Sequence, residues 1–343
     1  MNASLVIQTS FLGDTVLTTP LIAELAKRGP VDVVTRPASA GLLANHPCVR
    51  SVIPYDKRGK DSGVRGFFKL ASSLRRFGYD SAYLAQASMR SAALAVAAGI
   101  PNRIGFSTAP GRVLYTKRIE FREDYHHALR LLSLATPPET TKASAARPRL
   151  YPGIAERGAV DRLLALHGAL AGDPLVALAP ATVWATKRWP YYSELARELA
   201  PRAHIVILGS QDDIQLANDV CAAARENGGV AINAAGILSL LASAELIRRC
   251  NVLVTNDSAP QHLASAVDTP TLTIFGPTAP TFGFGPLAPR STTVGLETLA
   301  CRPCDRHGPQ KCPLGHWRCM REIAPRDVAA RVVDILSLSP SST

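Results

Sequence analysis

The chain has 343 residues, of which 47% are hydrophobic and 19% charged; that is longer than the roughly 100–200 residues of one domain and apolar enough for sizeable cores. Its 38 Lys and Arg against 27 Asp and Glu leave a net charge of +11, which asks for an anionic partner such as nucleic acid, acidic lipid or glycolipid, or a phosphorylated substrate. Aromatics make up only 6% and no basic run interleaves with them, which argues against a stacking surface for single-stranded nucleic acid. No apolar run approaches the roughly 20 residues of a membrane span, and the first residues lack the basic start and cleavage site of a signal peptide. The expected location is cytoplasmic, at most peripheral to a membrane.

Leu5–Ile7 reads as a strand, Ser10 to Gly13 as a polar turn, and a helix follows from about Asp14 to Lys27, which Pro20 kinks or divides. Asp14 opens that helix, where the dipole and the first-turn N–H groups favour an ionised carboxylate. It is a candidate general base, or simply a helix N-cap. Val31–Thr35, Ser51–Ile53 and Ser81–Ala85 read as strands, with helices near Phe67–Arg76 and Ser88–Ala98. A short strand begins at Asn102, and Tyr125–Ala135 is helical. Arg50, Lys57, Arg58, Lys60, Arg65, Lys69, Arg75 and Arg76 crowd one stretch, as a solvated face or as a surface for an anion. Residues 136–153 are rich in Pro, Thr and Ala without periodicity, as an interdomain connection would be. This divides the chain into an N-terminal domain, 1–150, and a C-terminal domain, 151–343.

The second half alternates more cleanly. Leu175–Leu178, His204–Leu208, Val230–Asn233, Val252–Thr255 and Thr271–Phe275 are predicted strands, separated by helices near Tyr191–Leu199, Asp213–Arg225, Leu240–Cys250 and Pro260–Val267. A last helix, Pro325–Leu336, could pack on either domain. Such alternation predicts an α/β protein of two doubly wound, Rossmann-like sheets facing across a cleft, with ligands at the carboxyl edges of the strands.

Val252 to Val267 is the most telling stretch. An apolar strand breaks into Asn256-Asp257-Ser258 and a helix starts at once, with Ser258 and Gln261 at capping-box spacing and Pro260 in the first turn. A strand, polar turn and helix N-terminus suit a phosphate, although an ordinary β-α-β turn reads the same. Lys187-Arg188, in the loop after Leu175–Ala179, could neutralise a diphosphate or stand as a solvated pair ahead of a helix. Asp213 could accept ribose hydroxyls or merely open its helix. No Walker loop occurs and no G-x-G-x-x-G follows the first strand, which weighs against kinase and dehydrogenase readings. Four of the seven cysteines, Cys301, Cys304, Cys312 and Cys319, lie within 19 residues. With His307 and His316 nearby they could form a structural zinc site, or remain reduced structural thiols.

Leu12-Gly13-Asp14-Thr15-Val16-Leu17-Thr18-Thr19-Pro20, Lys187-Arg188-Trp189-Pro190, Gly209 to Asp213, and Thr255 to His262 continuing through Phe275-Gly276-Pro277-Thr278 occur in this order. Together they resemble the family 9 glycosyltransferases, the ADP-heptose:lipopolysaccharide heptosyltransferases, and look most like the heptosyltransferase II branch. The resemblance implies a GT-B fold that binds the acceptor with its N-terminal domain and the nucleotide sugar with its C-terminal domain. It implies an inverting transfer of heptose from ADP-L-glycero-D-manno-heptose to the inner core of lipopolysaccharide, with no metal cofactor required for catalysis. Asp14 would be the base, and Lys187 would contact sugar and diphosphate. Asp257 with the N–H groups of Ser258 and Ala259 would organise the phosphate site, His262 would line it, and Asp213 would lie near the ribose. The implied partners are ADP-heptose, an anionic lipopolysaccharide core acceptor and the inner face of the inner membrane, with no nucleic acid. The motifs do not encode the sugar, so another nucleotide sugar or glycan acceptor is the alternative. A non-catalytic two-lobed binding protein is a further one, which retention of Asp14 argues against.

Overall fold

A computed structural model describes residues 3–140, 143–169 and 172–338. The chain falls into two compact units, Met1–Tyr151 and Pro152–Thr343. The first is built on β1 (Ser4–Gln8), β2 (Val31–Thr35), β3 (Ser51–Pro54), β4 (Ser81–Leu84), β5 (Asn102–Phe106) and β6 (Lys117–Ile119). They form one sheet in the order β3-β2-β1-β4-β5-β6, every pairing parallel. Every residue of β1 and β2 is buried, as expected for central strands covered by helices on both faces. Leu5, Ile7, Val34 and Leu84 from the sheet meet Leu74 and Leu94 from the covering helices in one core.

The second unit repeats the plan with β7 (Leu175–Ala179), β8 (His204–Ile207), β9 (Ala231–Asn233), β10 (Val252–Asn256), β11 (Thr271–Ile274) and β12 (Thr292–Val294). Its order is β12-β11-β10-β7-β8-β9, again all parallel. Both sheets therefore reverse their winding between the first and fourth strands of the unit, at β1/β4 and at β7/β10. Crevices at such switch points are where open α/β sheets bind ligands. The terminal helix, Pro325–Ser337, packs Val328, Val332 and Ile335 into the core of the second unit. That settles a position the sequence left open.

The first predicted helix is divided, as Pro20 led one to expect, into Leu12–Leu17 and Thr19–Ala26, joined at Thr18 with Pro20 in the first turn of the second, where its missing N–H is harmless. Elsewhere local structure departs from sequence expectation. Ile154–Leu166 is a helix that sequence reading passed over. The edge strands β6 and β12 were likewise missed. The Pro-rich stretch that reads as a connection carries short 3-10 turns at Pro138–Thr140 and Ala143–Ala146; residues 141–142 of it lie outside the described residues. Ala146 and Leu150 are buried, and the Arg149 N–H donates to Thr19 Oγ1 at 3.0 Å. Among the described residues no helix is long and apolar enough to cross a membrane.

Candidate active site

In the first unit the chain leaves β1 through Thr9 and Ser10 and enters the Leu12–Leu17 helix, which puts Asp14 one turn beyond the strand's carboxyl end. Asp14 is not the N-cap. Phe11 holds that position, and its N–H donates back to Asp14 Oδ2 at 3.3 Å. The other carboxylate oxygen lies 3.6 Å from His127 Nε2, which the Pro-free helix His127–Leu132 brings in from 113 positions along the chain. Burial depresses the His127 pKa; the Asp14 carboxylate opposes that, and the Arg130 guanidinium adds to it. Burial thus biases His127 toward the neutral imidazole, beside an Asp14 carboxylate whose side chain is 17% exposed.

A second group gathers at the same sheet edge. Lys57 Nζ donates to Thr9 Oγ1 at 3.1 Å and to Gln86 Oε1 at 3.5 Å. Burial lowers its pKa, and repulsion from Arg58, Arg36 and Arg90 lowers it further. Arg90 reaches the Tyr55 hydroxyl from Nε at 2.9 Å and from Nη2 at 2.5 Å. Lys57, Arg90, Tyr55, Thr9 and Ser88 line one pocket. Cations that depress one another's pKa are relieved by an anion.

In the second unit Lys187 and Asp257 face each other at the β7/β10 switch point. Their side chains are 8% and 10% exposed, and Lys187 Nζ lies 2.6 Å from Asp257 Oδ2. The same Oδ2 accepts from Thr278 Oγ1 at 2.7 Å, and Oδ1 accepts from Gln261 Nε2 at 3.0 Å. Gln261 is fixed in turn by Thr273 Oγ1, which donates to its Oε1 at 3.2 Å. Asn256 ties the two loops together: its Nδ2 donates to the Pro180 carbonyl and its Oδ1 accepts from the Trp189 N–H. Lys187 is thus no solvated surface cation, and its charge is matched by a carboxylate that is itself fully bonded. A buried pair so arranged satisfies the condition under which burying two charges is tolerated.

The Ala259–Ala266 helix follows directly, with Ser258 as its N-cap and Pro260 in its first turn. The capping box expected between Ser258 and Gln261 does not form. The Ser258 side chain makes no cap bond, and Gln261, wholly buried, serves Asp257 and Thr273 instead. His262 is buried one turn into this helix, its ring 6.4 Å from that of Phe284.

Residues 67–316 match the family described as glycosyltransferase family 9 (heptosyltransferase). The chain belongs to glycosyltransferase family 9. It is 29% identical to lipopolysaccharide heptosyltransferase 2 of Salmonella typhimurium, over 97% of this chain and 98% of that one. It is 30% identical to lipopolysaccharide heptosyltransferase 1 of Pseudomonas aeruginosa, over 88% and 85%. Among solved structures it resembles ADP-heptose lps heptosyltransferase II of Escherichia coli with a TM-score of 0.79 and 26% identity, covering 98% and 99% of the two chains. The two Rossmann-like sheets are accordingly those of a GT-B glycosyltransferase.

Within this family 9 transferase, Lys187, Asp257, Ser258, Ala259 and His262 come together at one sheet edge of the second unit. Asp213 belongs to a different strand end. It closes the 3-10 turn Gln211–Asp213, and its Oδ2 accepts from the Ser210 N–H at 2.8 Å and from Ser210 Oγ at 2.6 Å. It also stands at the N-cap position of the Ile214–Arg225 helix, without a side-chain cap bond there.

The cysteine-rich segment also packs at the Lys187 edge. The Cys304 N–H donates to the Pro277 carbonyl at 2.8 Å, Arg302 donates to the carbonyls of Gly276 and Thr278, and Thr186 Oγ1 donates to the Pro309 carbonyl. Gln310 brackets the loop between the Ala185 N–H and the Val183 carbonyl. Gly308 has φ +82°, and a Cβ there would sit 3.1–3.3 Å from Pro277, Thr186 and Lys187, so both its conformation and the close approach call for glycine.

The thiols themselves do not form the metal cage that their spacing allows. Among the described residues no group of three or more His, Cys, Asp or Glu is placed to hold an ion. His307 stacks on Trp184, and Cys301 Sγ is 3.9 Å from His316 Nε2. Cys304, Cys312 and Cys319 nevertheless line one pocket with Thr186 and Pro277. Burial pushes the Cys319 thiol up to about 11. At Cys312 burial raises the pKa, but backbone N–H groups of residues 314–317 outweigh it and the net shift is downward.

Sequence reading missed the groups that act on the motif residues from a distance. These are His127 beside Asp14, Arg90 and Tyr55 around Lys57 (itself named in the basic stretch), and Thr278 and Gln261 on Asp257. Thr278 follows the strand Thr271–Ile274 and Gln261 has the spacing of a cap, and neither position along the chain signals a bond to Asp257.

Proposed function

We propose that this glycosyltransferase moves heptose from ADP-L-glycero-D-manno-heptose to the inner core of lipopolysaccharide with inversion at the anomeric carbon. The observation that carries this reading is end-to-end similarity to relatives named for that activity, in a chain that keeps a carboxylate and a lysine–aspartate pair at its two switch points. The first unit takes the acceptor and the second the nucleotide sugar. Asp14 removes the proton from the acceptor hydroxyl as that oxygen bonds to the anomeric carbon. The bond from that carbon to the diphosphate oxygen breaks, and ADP departs with the electron pair.

Charge developing on the diphosphate is met by the Lys187 ammonium and the N-terminal N–H groups of the Ala259–Ala266 helix. Asp257 aims Lys187, His262 lines the site and Asp213 takes the ribose. Lysine and helix terminus together fill the office of a divalent cation, so no metal is needed for turnover. The acceptor's carboxylates and phosphates suit the pocket of Lys57 and Arg90. Transfer takes place in the cytoplasm with peripheral contact to the inner membrane. A structural zinc on Cys301, Cys304, Cys312 and Cys319 would require these thiols to draw together, and metal analysis of the purified protein decides it.

The test is to incubate the protein with ADP-heptose and a Kdo-bearing acceptor in the presence of EDTA. ADP release matched by a one-heptose mass gain in the acceptor is expected. ADP-heptose left unconsumed while another nucleotide sugar is turned over would overturn the donor assignment.

A further inference from the structure

The Gly63–Phe77 helix presents an outer face that the chemistry of transfer does not use. Its inner face, Phe67, Leu70, Ala71 and Leu74, packs on the first core. Its outer face carries Val64 at 72% and Phe68 at 59% exposure, and Phe77 near its end is 53% exposed. Around them stand Arg65, Lys69, Arg75 and Arg76, all exposed. No acidic residue occurs between Asp61 and Asp80. Arg65, Lys69, Ser72 and Arg76 follow helical spacing and make one stripe, with Val64 and Phe68 alongside it. Like charges four residues apart repel on a helix in water, and exposed phenylalanine gains nothing there. Both features become favourable against a surface that is negative outside and apolar beneath. The Phe68 ring is braced by Phe67, centroids 5.3 Å apart and nearly perpendicular.

The helix also adjoins the cationic pocket of the same unit. Arg90, which lines that pocket, donates from Nη2 to the Gly63 carbonyl at 3.2 Å and lies over the Phe67 ring. We propose that the outer face of the Gly63–Phe77 helix docks on an anionic phospholipid bilayer, with Arg65, Lys69 and Arg76 among the headgroups and Val64 and Phe68 entering the acyl boundary. A lipid-borne acceptor is thereby presented beside the Lys57–Arg90 pocket. This rests on the reading that the acceptor is a membrane glycolipid. Nucleic acid would use the cations but not the phenylalanine.

The experiment is co-sedimentation of the full chain with vesicles of phosphatidylethanolamine and phosphatidylglycerol, and with vesicles of phosphatidylcholine alone. Binding is expected only to the anionic vesicles. Each basic residue at a charged bilayer contributes about 1 kcal/mol, or about five-fold, so Arg65→Gln/Lys69→Gln/Arg76→Gln should weaken binding by about 100-fold. Phe68→Ser should weaken it by about ten-fold. Thermal melting checks that the variants are folded, and Arg326→Gln/Arg331→Gln on the second unit should bind as the parent does. Transfer to a short acceptor without acyl chains should be unchanged in the helix variants. Vesicle binding by the triple variant within two-fold of the parent would overturn the proposal. So would duplex DNA that displaces the protein from vesicles and binds the Phe68→Ser variant as tightly as the parent. Loss of transfer to the short acceptor with vesicle binding intact would also overturn it, by assigning the helix to the pocket. Vesicle binding with the expected mutational losses but no heptose transfer would uphold the docking surface and refute the assigned reaction instead.

Discussion

The two units share one topology and use its switch point in opposite ways. At the β1/β4 edge the Asp14 side chain is 17% exposed, accepts from the Phe11 N–H at 3.3 Å and lies 3.6 Å from His127 Nε2. At the β7/β10 edge Asp257 is enclosed and saturated by Lys187, Thr278 and Gln261. In the proposed mechanism, the carboxylate that collects a proton needs to be reachable, and the one that aims a lysine needs to be fixed on every side. The contrast teaches that aspartates in similar positions of repeated folds are told apart by the number and burial of their partners.

Substitutions should separate the two aspartates by what they damage. Asp14→Asn is expected to lower kcat by about 10³-fold, the scale of a lost general base, while the denaturation midpoint stays near the parent's. A large fall in that midpoint would make Asp14 a structural residue after all. Lys187→Ala should do the reverse in part. It strands the buried Asp257 carboxylate, at about 3–5 kcal/mol of folding stability, and weakens donor binding measured by calorimetry. A Lys187→Ala protein as stable as the parent would show that Asp257 does not depend on the pair. Gly308→Ala reaches the same edge more gently: a Cβ at positive φ against Lys187 and Thr186 should cost about 1–2 kcal/mol and raise the KM for donor more than it lowers kcat.

Acid acts on the first unit through its buried histidines. Burial lowers His46 to about 4 and also depresses His127, both in the first unit. A histidine depressed on folding leaves stability intact above its unfolded pKa near 6.5; the unfolded chain then takes up protons first, and stability is lost as pH falls toward the folded value. Urea midpoints should therefore drop between pH 7 and pH 5, and His46→Leu should shrink that drop. An unchanged pH dependence in this variant would remove His46 from the account.

The alternation of apolar strands with helices made the paired sheets legible, because β1, β2, β7 and β10 are buried along their whole length and built mainly of apolar residues, with β2 enclosing Asp32 against Arg50. The edge strands β6 and β12 have three residues each and are only partly buried, too short to rise above loop composition. The placement of Asp14, Lys187 and Asp257 after strand ends was legible. Their state was not, since a sequence lists neighbours along the chain and not across it. Asp14 sits three residues inside its helix, and its His127 neighbour lies 113 positions away. Gln261 fits a cap by spacing yet is drawn inward by Asp257 and Thr273. The cysteine spacing permits a metal cage that side-chain packing does not assemble.

Inverting heptosyl transfer with Asp14 as base is tested most directly by the anomeric configuration of the product, read by NMR after single-turnover reaction of ADP-heptose with a Kdo-bearing acceptor, alongside Asp14→Asn. The account predicts a new glycosidic bond of configuration opposite to the donor's, and an Asp14→Asn protein that binds donor normally but forms that bond about 10³-fold more slowly. Retained configuration, or an undiminished rate in Asp14→Asn, would contradict it.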